Sequence, residues 1–205
     1  SIFSTLWGLT GKPLFGHWFD HHESTNEHRE TRRDRRMALG VREAYKSVDE
    51  RGNIGDWTLL TDLSNDRFAV FEEPKEHHAD QNKIHVALRG TKGNFEDLWK
   101  DAKIIGRNNP GDDEEIREKL IEIARAFPEA ELDASGHSLG GNQLLNAFEG
   151  FDDPELKRYE RVNLFNPGTS PLSHLDTHKE TADDADRMRL FLNTGDVLSN
   201  TYTYL

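Results

Sequence analysis

No cysteine occurs in the 205 residues of this chain, so neither disulfides nor thiolate zinc sites hold it together, and its redox compartment is left open. Long apolar runs are missing too; none approaches the roughly 20 residues of a membrane span. Positive charge is outweighed: 26 Lys and Arg against 38 Asp and Glu give a formal net charge of −12 at pH 7. That balance argues against nucleic acid as a partner, because phosphates call for basic patches, and it disfavours tight adsorption to an anionic membrane face. Apolar residues make up only 34% of the chain against 31% charged, which implies a lean core under a strongly solvated surface. The first residue is Ser1, which fits either loss of an initiator methionine or trimming of a precursor; no secretory signal is visible, and localisation stays open.

What the chain does have is Gly136-His137-Ser138-Leu139-Gly140-Gly141. A serine between two glycines at this spacing is the pattern of a nucleophile elbow, where a strand turns sharply into a helix and lifts the hydroxyl above a sheet. The turn strains the serine backbone, and side chains at Gly136 and Gly140 would collide across it. Alone the pattern is moderately specific, so the flanking elements matter.

Residues 1–29 read as an N-terminal arm, in which Phe3, Trp7, Phe15, Trp18 and Phe19 are broken up by glycines and Pro13. Packing or docking onto a protein partner is one role for it, and insertion into a lipid interface is the other. His21-His22-Glu23 and His77-His78 are expected on a solvated surface rather than on a metal. From about Glu30 to Asp49 the pattern is helical, with Met37, Val41, Tyr45 and Val48 on one face. Arg32, Arg33, Arg35 and Arg36 near its start suggest a phosphate or partner patch, but in so acidic a chain they are expected to meet carboxylates. Trp57 to Leu60 and Arg67 to Phe71 read as short strands, and Lys83 to Leu88 as a buried one that runs into Arg89-Gly90-Thr91. Helices follow at about Asn94 to Ile105 and Asp112 to Phe127. Asp97 and Asp101 share the first, where Asp101 is expected to fix a nearby loop.

The segment from about Glu131 to Ser135 must be the strand before the elbow, yet Glu131 and Asp133 stand where a buried central strand should be apolar. Only Leu132 and Ala134 offer inward side chains, so burial on one side only is expected. A helix from Gly141 to Phe148, a strand at about Arg161 to Phe165 and a last strand at Met188 to Leu192 complete a mainly parallel sheet with crossover helices.

The strand ending in Leu88-Arg89-Gly90-Thr91, the helix with Trp99 and Asp101, and the Gly136-to-Gly141 motif together resemble the class 3 (fungal-type) lipases, from about residue 30 to the end. The resemblance implies an α/β-hydrolase-type domain over 30–205, for which the chain is short. It implies Ser138 as nucleophile, the Thr91 and Leu139 amides as oxyanion donors, and Asp196 as the acid. Two simpler readings stay open: Thr91 as a helix cap and Asp196 as a turn residue. Asp183, Asp184 and Asp186 are weaker acids because they precede the strand. His137 matches a position that is often histidine in the motif and is not the base. Asn166-Pro167-Gly168 departs from the family's Gly-x-Pro arrangement, and its loop is expected to border the substrate.

No histidine follows Asp196. The base therefore lies on a C-terminal segment beyond this chain, or is His174 or His178 swinging in from an unusual position, or is absent from an inert site. The expected function is ester hydrolysis on a lipid or other acyl ester, with no metal or organic cofactor. The alternative is a catalytically inert hydrolase-fold protein that serves a larger assembly.

Overall fold

The computed structural model describes residues 16–75, 81–100, 110–148, 152–166 and 187–191. Its first element, α1, is Gly16–Tyr45. The helix thus begins well before Glu30, and residues 16–29, read as part of the arm, belong to it. From position 17 to 39 neither glycine nor proline interrupts a run rich in Glu and Arg, which favour helix. The apolar stripe that signals a helix from sequence begins only at Met37, hence the late expected start. At the other end α1 stops at Tyr45, and Val48 lies in a 3₁₀ turn, 45% exposed, rather than on the buried face. The buried Arg51 accounts for that stop. Its guanidinium donates to the carbonyls of Ala44 at 3.0 Å, Asn65 at 2.6 Å and Phe68 at 2.7 Å, tying the end of α1 to the turn beyond.

The remaining elements are β1 (Thr58–Leu59), β2 (Phe68–Glu73), β3 (Lys83–Leu88), α2 (Phe95–Lys100), α3 (Pro110–Ala126), β4 (Glu131–His137), α4 (Leu139–Phe148), α5 (Pro154–Lys157), β5 (Tyr159–Phe165) and β6 (Met188–Phe191). All six strands form one sheet in sequential order. β1, β2 and β3 pair antiparallel, while β3 to β6 pair parallel. Parallel neighbours need crossovers, supplied by α2 and α3 between β3 and β4 and by α4 and α5 between β4 and β5. The chain is therefore an α/β protein with a mixed, mostly parallel sheet and flanking helices. No described helix is long and apolar enough to cross a membrane.

Strand alternation sends two sets of side chains to opposite faces. Ile84, Val86, Leu88, Leu132, Ala134, Val162 and Leu164 meet Ile116, Leu120 and Ile123 of α3 and Leu144, Leu145 and Phe148 of α4. Toward α1, β4 is buried as well, contrary to the one-sided burial expected of it. Asp133 is 1% exposed there because it has partners. Arg33 donates to its Oδ2 through Nε at 2.9 Å and also through Nη2, and His85 Nδ1 lies 3.3 Å from the same oxygen. Burial alone would raise the Asp133 pKa, but His85 and Arg33 more than offset it and hold the carboxyl below its ordinary range. Arg36 likewise meets Asp56 at 2.8 Å, so part of the arginine cluster finds carboxylates as expected.

Candidate functional site

β4 ends at His137 and α4 begins at Leu139, so the whole change of direction falls on Ser138. Its φ of +55° is a left-handed conformation that costs a non-glycine residue on the order of 1–3 kcal/mol and persists only where the surroundings over-determine it. Here the surroundings are backbone packed on backbone. A Cβ on Gly136 would lie 2.7 Å from the Gly140 carbonyl oxygen, and one on Gly140 would lie 2.5 Å from that of Arg89. A Cβ on Gly90 would lie 2.7 Å from the His137 carbonyl oxygen and 3.3 Å from the Leu139 amide nitrogen. Only glycine lets β4, the start of α4 and the loop after β3 close on one another.

Ser138 N–H donates to Phe165 O at 3.0 Å, extending the β4–β5 ladder past its last pair. Asn166 then takes φ +41°, with its amide donating to Phe191 O at 2.7 Å. Two strained residues thus follow the carboxyl ends of adjacent parallel strands, where open α/β sheets form ligand crevices. The rest of the expected substrate loop, from Pro167, lies outside the described residues.

The closure brings the Leu139 amide against Gly90, the residue before Thr91. Leu139 is the first residue of α4, so its amide has no intrahelical acceptor, and it packs against the Gly90 end of the Gly90–Thr91 loop. The Thr91 hydroxyl oxygen is buried without a hydrogen-bond partner among the described residues. Capping α2 is not its role. Asn94 does that, its Oδ1 accepting from Asp97 N–H at 3.2 Å.

Tyr45, expected only as part of an apolar face, holds this loop. Gly90 N–H donates to its phenolic oxygen at 2.9 Å, and that oxygen lies 2.8 Å from His137 Nδ1. The phenol oxygen thus bridges the Gly90 amide and the His137 ring, the donor of the second bond being set by the imidazole tautomer. His137 is fully buried, edge-on to Tyr45 at 5.6 Å and tilted against Phe95 at 6.1 Å. Burial pushes its pKa down to about 4 and pushes the Tyr45 phenol up to about 12. His137 is therefore neutral near pH 7 and already engaged with Tyr45. Nothing local in the sequence marks Tyr45, since an aromatic in the last turn of an amphipathic helix looks the same whether or not its hydroxyl has distant partners.

Asp196, His174 and His178 lie outside the described residues, as do Asp101, Asp183, Asp184 and Asp186. The Ser138 side chain is buried, 3% exposed, and its hydroxyl forms no hydrogen bond among the described residues. Among those residues no group of three or more histidine or carboxylate side chains is placed to hold a metal ion. No family model matches the chain, and no curated protein matches it.

Proposed function

We propose that the chain is a lipase-like serine carboxylic ester hydrolase of the α/β-hydrolase type, working through an acyl-enzyme at Ser138. One observation carries the reading: Ser138 at φ +55° between β4 and α4, with Gly136 and Gly140 each closed to any Cβ. Backbone strain at a polar, nucleophilic residue needs a reason, and holding a hydroxyl at the carboxyl end of a central strand is one.

In this mechanism Ser138 Oγ attacks the ester carbonyl carbon while its proton passes to a histidine base. The Leu139 and Thr91 amides receive the oxyanion, with the Thr91 hydroxyl beside them. Collapse of the tetrahedral intermediate expels the alcohol, protonated by the same histidine, and water then hydrolyses the acyl-enzyme. Asp196 is assigned to orient the base. His174 and His178 are the candidates for that base within the chain, and a histidine beyond Leu205 in a longer chain is the other source. Resemblance to the class 3 lipases supplies the substrate class, an acyl ester of a lipid or a small ester.

A second reading, an inert hydrolase-fold protein in a larger assembly, is favoured by the Ser138 hydroxyl having no hydrogen bond among the described residues. A fluorophosphonate probe decides between the two. Labelling that maps to Ser138 and vanishes in Ser138→Ala together with ester hydrolysis supports the enzyme. Absence of labelling in the full-length natural product, its C-terminus confirmed by intact mass, overturns it.

A further inference from the structure

Four arginines of α1, Arg29, Arg32, Arg33 and Arg36, follow one another at i, i+3, i+4 and i+7, the spacing of a single helix face. That face forms one wall of a cleft of about 550 Å³, a size suited to a small ligand. Lys75, just after β2, and Lys83, the first residue of β3, also line it, and Asp56 and Glu73 are its only carboxylates among the described residues. Trp57 forms a rigid part of the lining, stacked on His85 at 3.7 Å between ring centroids and covered by the Arg36 guanidinium at 5.7 Å.

The existing ion pairs do not neutralise this cleft. Glu73 is taken by His85 at 2.7 Å and Asp56 by Arg36 at 2.8 Å. Arg33 is paired with Asp133, and Lys83 with Glu131 at 3.5 Å. Arg29, Arg32 and Lys75 remain exposed, and their side chains make no hydrogen bond or ion pair among the described residues. Like charges gathered around one cleft repel one another, and in a chain of net charge −12 such a concentration is a local exception rather than a general basic surface.

We propose that the cleft lined by the arginines of α1 with Lys75 and Lys83 binds a small anion carrying two or more phosphate charges. Planar guanidinium forks match phosphate oxygens bidentately, and Lys75 adds a point charge. A single carboxylate would satisfy one fork and leave the other unmatched. Screening confines each charge's reach to about 8 Å at physiological ionic strength, so a compact ligand inside the cleft responds to the local cations. An extended polyanion would meet the acidic remainder of the surface as well.

This site is distinct from Ser138. Lys83 opens β3 and pairs with Glu131 at the start of β4, whereas Ser138 follows the other end of β4. The two lie at opposite ends of the central strands, about 20 Å apart by the rise of an extended strand. Binding therefore stands or falls independently of the ester-hydrolase reading.

Calorimetric titration of the full chain with pyrophosphate tests it, with vesicles of phosphatidylcholine carrying phosphatidic acid as a second arm. Saturable one-to-one binding is expected, weakened about tenfold or more in Arg29→Gln/Arg32→Gln and unchanged in Ser138→Ala. Both arginines are exposed on a helix and glutamine has similar helix propensity, so the variant should fold, which circular dichroism verifies. Bound pyrophosphate should also raise the melting temperature of the wild type and much less that of the double variant. Vesicle binding competed by pyrophosphate assigns the phosphate to a lipid headgroup, and pyrophosphate binding without vesicle binding assigns it to a soluble ligand. No pyrophosphate binding, or binding indifferent to the double substitution, overturns the proposal.

Discussion

Toward α3 and α4 the central strands show Ile84, Val86, Leu132, Ala134, Val162 and Leu164, whereas toward α1 the same strands show His85, Asp133, Ser135, His137 and Asn163. The first face is held by shape and burial, which tolerate small slides of a helix along the sheet. The second also has an apolar cluster, in which Met37, Val41 and Ala44 of α1 are buried with Phe71, Ala87 and Phe165 of the sheet, and it adds specific pairs that the first face lacks: Arg33 to Asp133, Asn163 Nδ2 to Asp34 at 2.9 Å, and Tyr45 to His137. A slide of α1 would break all three at once. The polar face thus sets the register of α1, and that register brings the Tyr45 hydroxyl to Gly90 beside the strained serine.

The largest expected effect comes from cutting the polar face at its middle. Asp133→Ala leaves Arg33 and His85 without their carboxylate and should cost about 3–5 kcal/mol in denaturant unfolding. On the opposite face Leu120→Ala opens a cavity and should cost about 2–5 kcal/mol. Acid separates the two. The depressed Asp133 pKa means that its contribution is complete above the ordinary carboxylate range and is lost as pH falls through the lower folded value, so the penalty of Asp133→Ala shrinks in strong acid. The Leu120→Ala penalty should not follow pH in this way. Equal behaviour of the two variants in acid would remove the distinction between the faces.

A somewhat smaller effect concerns His137. Unfolded, its imidazole takes up a proton near pH 6.5; folded, it does so only at about 4. The unfolded state binds more protons between those values, so stability falls as the pH is lowered through this window, by about 3 kcal/mol in all. Asp34, whose carboxyl is raised by burial against the opposing pull of Asn163 and Arg189, acts in the opposite sense near the acid end. The upper half of the window therefore reports His137 most cleanly. Unfolding midpoints measured across it should slope in the wild type and flatten in His137→Gln.

Smallest in stability, and most pointed for function, is Tyr45→Phe. Loss of the hydroxyl unpairs the Gly90 amide and His137 Nδ1 and should cost about 1–2 kcal/mol. If Ser138 is a nucleophile, fluorophosphonate labelling should slow about tenfold or more, because the loop that carries the Thr91 amide is no longer held. The fall should appear in kcat rather than KM for an ester substrate. Labelling that keeps its rate while stability drops would make Tyr45 a fold residue only.

Much of the order of elements was legible from local signals. Alternation marked β3, three-and-four spacing marked α3, and Gly136-x-Ser138-x-Gly140 marked the sharp turn, because the steric demand for glycine is written within five positions. The early start of α1 was not legible, since a helix polar on all sides carries no apolar stripe. Asp133 looked misplaced for a related reason: its partner Arg33 is 100 positions away, and no window of sequence joins them. α5 was missed as well, although Asp153 caps it with Pro154 at its first turn, because four residues are too few to show a period.

Composition and spacing by themselves determined an acidic α/β chain with a serine set between glycines, since propensity, periodicity and steric room act over a few neighbouring residues. Tertiary structure alone decided which face of the sheet would be polar, that Asn94 rather than Thr91 caps α2, and that Tyr45 fastens Gly90 against the start of α4. Those outcomes rest on hydrogen bonds and backbone approaches between segments far apart in the chain. Their partners become neighbours only when the sheet and α1 come together.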